Sequence, residues 1–204
     1  MPALAGTVGE GYLNFRMGIE LTSLTGHLLV AMPQMRDERF ARSVVFMCMH
    51  NEGGAMGLVI NKLIDSLTLP SLLGQLGIEG AAISERTPVH FGGPVEAHHG
   101  FVLHSADYVE DCTLVVEGGV ALTASLEILR AIAQGKGPKH SFLALGYAEW
   151  GAGQLDHELQ SNDWLHVAAD ETILFDAALK DKWRQALDKL GVSPGALSSE
   201  AGHA

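Results

Sequence analysis

Apolar positions in this chain fall in short unbroken runs with few long stripes. Residues 27–32 (HLLVAM) stop at Pro33, and residues 43–49 (SVVFMCM) have no polar face. Residues 55–60 (AMGLVI) follow the turn signal Asn51-Glu52-Gly53-Gly54. Runs this short, rich in β-branched and aromatic residues, predict strands covered on both faces, and the second and third should form a hairpin. Further short strands are expected at 89–91, 101–104, 113–116 and 141–145, with the Gly-Gly steps at 92–93 and 118–119 as punctuation.

Helical periods are fewer. Thr68 and Pro70 read as a cap and an early helical position, with Leu72, Leu73 and Leu76 on one face and Gly77 as the stop. Leu126, Leu129, Ile132 and Ala133 form a second stripe, ended by Gly135, Gly137 and Pro138. A short helix is expected over 150–160, then a strand at 164–168, with 173–175 as further strand or linker. The last helix has the clearest period: Leu179, Trp183, Ala186, Leu187 and Leu190 share a face, while Lys180, Asp181, Arg184 and Lys189 point away. Gly191 ends it. Strands in runs, without βαβ alternation, predict an α+β fold: a mixed, mostly antiparallel sheet with helices packed on its surface. The expected organisation is a flexible lead-in over 1–25, one domain over 26–191 and a disordered tail over 192–204.

Composition narrows the classes. At 204 residues, 47% hydrophobic and 18% charged, the chain suits one domain whose core needs no metal or disulfide to hold it. A net charge of −11 opposes contact with a phosphate polyanion, so no direct nucleic-acid binding is expected. Arg36, Arg39 and Arg42 alternate with Asp37 and Glu38 and read as a solvated turn. Cys48 and Cys112 lack CxxC spacing and suit reduced thiols in a cytoplasmic protein. No signal peptide and no stretch of membrane-spanning length is read, so no membrane insertion is expected.

Candidate chemistry is sparse. His98, His99 and His104, with His90 upstream, invite a zinc reading, but none has the spacing of a metal pair. Surface or hydrogen-bonded histidines are expected instead, His98-His99 in the turn between two strands, and neither metal nor cofactor is expected. Gly53-Gly54 and Gly92-Gly93-Pro94 lack the helix start, Lys and Ser/Thr of a phosphate cradle, and no GxSxG elbow occurs. Trp150, Gln154 and Glu158 would form an i, i+4, i+8 row on a helix. That row is either a helix edge tied down by structural hydrogen bonds or a ligand-facing set.

Three blocks carry a family resemblance. One is Leu28-Leu29-Val30-Ala31-Met32-Pro33 leading to Phe40, Ser43-Val44-Val45 and the stretch from Gly54 through Asn61-Lys62. Another is Gly92-Gly93-Pro94-Val95 with Gly100-Phe101-Val102-Leu103-His104. The third holds Gly146-Tyr147-Ala148, Trp150, Gly153-Gln154-Leu155, Glu158, Asn162 and Trp164-Leu165. Together they resemble the AlgH/YqgE family over about residues 26–190. The resemblance implies an α+β fold around a barrel-like sheet and brings a historical label of transcriptional regulator. Leu63 stands where relatives commonly have Pro, Glu149 where a small residue is usual, and His90 is a variable position.

The polar and glycine positions inside those blocks define a candidate binding cleft: Asn61, Lys62, Gly92, Gly93, Gln154, Glu158 and Asn162. The reading that follows is a non-enzymatic binding or regulatory protein that recognises a small molecule or a protein partner. A hydrolase-like enzyme using carboxylate and histidine is the alternative, and a regulator touching DNA directly is disfavoured by the charge and the lack of a helix-turn-helix pattern.

Overall fold

The computed structural model describes residues 23–80 and 82–192. Residues 1–22 and 193–204, where most of the expected lead-in and tail fall, lie outside the described residues. The first described elements are β1 (His27–Ala31), β2 (Val44–Asn51) and β3 (Gly54–Val59), followed by β4 (Leu63–Thr68) and α1 (Leu69–Gln75). Then come β5 (Pro88–Phe91), β6 (Val95–Ser105), β7 (Leu114–Val116), β8 (Val120–Thr123) and α2 (Leu126–Ala133). The last described elements are β9 (Ser141–Gly151), α3 (Gln154–Gln160), β10 (Trp164–Ala168), a π-helical turn at Thr172–Asp176 and α4 (Leu179–Lys189).

The fold is α+β, with a sheet that curls into a half-barrel. The strand order is β10-β1-β2-β3-β9-β6-β8-β7, and β5 joins through β4 and β9. Every pairing is antiparallel except β5 with β9, where His90 lies beside Ala144. Both faces of β1 to β3 are buried, which explains their unbroken apolar runs. Leu28, Val30, Phe46, Leu58 and Ile60 face a core closed by Leu174, Ala186 and Leu187. Their neighbours Leu29, Ala31, Val45, Met47 and Val59 face the opposite core with Trp150, Leu155 and Trp164. A third cluster packs α1 and α2 against Val89, Val102 and Leu143. Truncating a side chain as fully enclosed as Phe46 should cost about 3–5 kcal/mol.

Local signals account for the helix ends. Thr68 Oγ1 accepts from Ser71 N at 3.4 Å, and Ser125 Oγ accepts from Ile128 N at 3.1 Å. The indole of Trp183 on α4 donates to Ala31 O at 2.8 Å, and Lys189 Nζ reaches Ala168 O at 2.8 Å, fixing α4 across β1 and β10. Among the described residues, no helix is long and apolar enough to cross a membrane.

Several elements depart from the sequence reading. β4 and β8 were not anticipated, because six residues with Asp65 and Ser66 outward, or four residues with no polar face, present no readable period. The short strands expected at 101–104 and 141–145 extend in both cases to eleven residues. His98 and His99 therefore sit on β6, not in a turn, beside a register irregularity between Val95 and Gly100. Residues 172–176 close a π-helical turn, with no strand at 173–175. Trp150 belongs to β9, so it is not part of the α3 row.

Candidate functional site

A cavity of about 780 Å³ opens between the segment after β1 and the end of the half-barrel where α3 joins β9 to β10. One wall is the connection from Gln34 to Phe40; the other holds Glu149, Trp150, Gln154, Glu158, Asp163 and Trp164. Pro94 and Val95 form part of its floor.

Sequence fixes the second wall residue by residue. Gly153 takes a left-handed φ of 71° before α3, a turn that costs glycine little. Gln154 then folds back, its Oε1 accepting from Gly151 N at 3.1 Å and its Nε2 donating to Glu158 Oε1 at 2.9 Å. The other carboxylate oxygen of Glu158 accepts from both Trp150 Nε1 and Trp164 Nε1, each at 2.9 Å. Leu155, on the inner side of the helix, is buried with the two indoles. Glu158 thus takes three donors, an arrangement that satisfies the two buried indole N–H groups.

At the far end of α3, Asn162 adopts a left-handed φ of 57°. Its N–H reaches Leu159 O at 3.1 Å and Asp163 N reaches Glu158 O at 3.0 Å, the paired bonds of a Schellman ending. Asn tolerates that backbone better than most residues. Its carbonyl accepts from Gln34 Nε2 at 3.1 Å, tying the two walls together at the rim.

The loop wall is pinned from behind. Asn61 Oδ1 accepts from Val44 N at 2.8 Å and its Nδ2 donates to Arg42 O at 2.9 Å. Lys62 Nζ donates to Arg39 O at 2.7 Å and Glu38 O at 3.1 Å. Partial burial pushes Lys62 below its ordinary pKa, and the charge of Asp37 acts the other way. Asp37 itself is held low, first by the side-chain hydrogen bond from Arg39, whose Nη2 lies 2.7 Å from Oδ2. Phe40 closes the loop inward, edge to face with Trp164 at 5.7 Å.

Gly92 and Gly93 serve a crossing. Gly92 N donates to Leu145 O and Val59 N donates to Gly92 O, both at 2.8 Å. A Cβ on Gly93 would collide with the Tyr147 backbone, and one on Gly92 with the Gly146 carbonyl. The close approach of β5 and β9 therefore excludes any side chain, and it carries Pro94 and Val95 to the cleft floor.

Of the sequence candidates, Gln154 and Glu158 line the cavity. Asn61, Lys62, Gly92, Gly93 and Asn162 do not line it; they hold the segments that do. Sequence reasoning missed the rest of the lining. The charged turn of Arg36, Asp37, Glu38, Arg39 and Arg42 is solvated, as the sequence indicates, and Arg36, Asp37 and Arg39 also line the cavity beside Phe40. Glu149 and Asp163 face the cavity from β9 and from the entry to β10. Cys48 is enclosed, and burial pushes its thiol up to about 12, so it offers no thiolate. No cluster of three or more His, Cys, Asp or Glu suited to a metal ion occurs among the described residues.

The comparisons with known proteins agree with this architecture. The family model described as DUF179, AlgH-like, matches residues 28–195. A UPF0301 protein of Rhodospirillum rubrum is 52% identical over 181 residues, covering 89% of this chain and 94% of its own. A UPF0301 protein of Beijerinckia indica is 53% identical over 189 residues, covering 89% and 92%. The solution structure of the AlgH protein from Pseudomonas aeruginosa superposes with a TM-score of 0.73 at 42% identity, covering 90% of this chain and 97% of that one. A crystal structure from Corynebacterium diphtheriae, at 22% identity and a TM-score of 0.69, shares the fold. With nearly the whole described domain matched in sequence and in shape, the chain belongs to the AlgH-like family.

Proposed function

We propose that this protein is a non-enzymatic binding protein, and that the cleft between the 34–40 loop and α3 receives an extended segment of a protein partner. The observation that carries the reading is a ring of charges of both signs around aromatic residues: Arg36 and the Arg39–Asp37 pair on one wall, Glu149 and Asp163 on the other. Half-buried Phe40, and the little of Trp150 and Trp164 that reaches the cavity, supply the apolar surface between them. Aromatic anchors ringed by charges of both signs suit a peptide better than a compact ion, because a peptide can place side chains of opposite charge on opposite walls. Support against hydrolysis comes from Glu158, whose carboxylate is engaged by Trp150, Trp164 and Gln154, and from the lining, which among the described residues includes no histidine and no cysteine. A regulatory role of the kind the family label suggests would then pass through a protein partner, since a net charge of −11 opposes DNA. The free thiols of Cys48 and Cys112 favour a cytoplasmic setting.

Peptide-display selection on the purified chain tests this. Enriched peptides titrated against Arg39→Glu and Glu149→Lys should lose about tenfold or more in affinity in each reversal while the melting temperature stays put. Peptides whose affinity ignores both reversals would place recognition elsewhere and defeat the proposal.

A further inference from the structure

A second cavity, about 530 Å³, lies away from the cleft, between the start of β9, strand β5 and the π-helical turn leading into α4. Two cationic or titratable groups that the cleft does not use meet there. Lys182 is 2% exposed, and it spends two of its N–H bonds on the carbonyls of Ile173 and Leu174, the latter at 2.8 Å. An ammonium has three donors, so one remains. His90 is 6% exposed; its enclosed Nδ1 makes no hydrogen bond of ordinary geometry among the described residues, although the Ile60 carbonyl lies close enough to favour the protonated ring. A buried polar atom without a partner is uncommon enough to require a reason.

The walls between them are aromatic. The His90 ring stacks on Phe142 at 4.2 Å, Phe142 lies 6.2 Å from Phe175, and Phe175 lies 5.6 Å from His140. The carbonyls of the π-helical turn are already matched by Lys182, so the position does not call for a second cation. It offers, along its lining, a cationic N–H, an unsatisfied ring nitrogen just beneath the surface, and flat apolar surface, in a space of ligand size.

We propose that this cavity binds a small monoanion bearing a planar apolar group, an aryl carboxylate in its simplest form, with Lys182 and His90 at the anionic head and Phe142 and Phe175 against the ring.

The charged groups around Lys182 set the pH behaviour. His90 faces it from β5, Lys139 and His140 from the start of β9, and Asp176 from the π-helical turn; Glu171 lies 3.6 Å from His140. Burial lowers Lys182 to about 8, and Asp176 opposes that. The ammonium is therefore largely charged at neutral pH, and anion binding should weaken as pH rises through about 8.

The test uses the full chain, benzoate as probe and its uncharged counterpart benzamide as control, followed by NMR titration at neutral pH. Benzoate should bind with a Kd on the order of 1 mM and shift the ring resonances of His90, Phe142 and Phe175. Benzamide should bind about tenfold more weakly, and benzoate affinity should fall by a similar factor in His90→Phe and in Lys182→Met. If Lys182→Met fails to fold, the comparison rests on His90→Phe together with the loss of affinity above pH 8 in the unaltered protein. Equal binding of benzoate and benzamide would reduce the site to an apolar hollow. Absence of shifts at saturating benzoate, or affinity untouched in His90→Phe, would likewise overturn the proposal.

Discussion

Trp150 and Trp164 meet edge to face with ring centroids 6.0 Å apart, although β1, β2 and β3 all lie between their strands in the sheet. Curling of five strands brings the two indoles together, and the carboxylate of Glu158 takes a hydrogen bond from each. Helix α3 is thus a strap across the open end of the half-barrel, and the cleft is the space outside that strap.

Glu158→Ala should destabilise the protein by about 2–4 kcal/mol, since it strands two largely buried indole donors at once. Glu158→Gln keeps one acceptor oxygen and should cost about half as much. Urea denaturation followed by tryptophan fluorescence reads both the midpoint and the altered indole environment. An alanine variant as stable as the parent would show that the two bonds do not hold the strap.

At Asn162 the backbone, not the side chain, does the work of ending α3. Asn162→Gly should then stay within about 0.5 kcal/mol of the parent, whereas Asn162→Val should lose about 1–2 kcal/mol through its strained left-handed φ. Thermal melts of the two variants separate this from a side-chain role, under which glycine and valine would be equally harmful.

Gly93 passes against the Tyr147 backbone with no room for a methyl group. Gly93→Ala should lower stability by about 1–3 kcal/mol, more than Gly118→Ala, where an added Cβ meets open space and only the positive φ of 82° opposes it. Chemical denaturation of the pair, compared at equal m-value, checks the order.

Acidification should act through His90. Burial, aided by the charge of Lys182 and opposed by the Ile60 carbonyl, holds its pKa down to about 4 from 6.5. Between those values the unfolded chain binds a proton that the folded one refuses. Stability is therefore complete above about pH 6.5 and falls as pH drops toward 4, by up to about 3 kcal/mol. Denaturation midpoints across that range should fall less steeply in His90→Phe than in the parent; parallel curves would show that His90 ionises freely in the folded state.

Much of the secondary structure is legible in the residues themselves. The runs at β1, β2 and β3 need no alternation, because α4 and the π-helical turn help close the core on one face, and α3 with the two indoles the core on the other. The stripe of α4 is likewise local: Ala186 and Leu187 face the core and Arg184 faces water. Thr68 and Ser125 announce their helix starts by side-chain chemistry that acts over three residues. Such features depend on neighbours in sequence, so the sequence alone determines them.

What the tertiary structure decided is where distant polar groups meet. Gln154 and Glu158, four apart on a helix, could be paired from spacing alone. That Trp150 joins them from a strand depends on the curl of the sheet, which no local period encodes. Lys62 reaching Arg39 O, Asn162 receiving Gln34, and Lys182 turning inward to the 173–174 carbonyls are contacts across 23, 128 and 9 or 8 positions. Lys182 reads as a surface residue because lysine on a helix ordinarily is one. Only the π-helical turn packed beneath α4, with carbonyls left over at its end, makes burying that ammonium favourable.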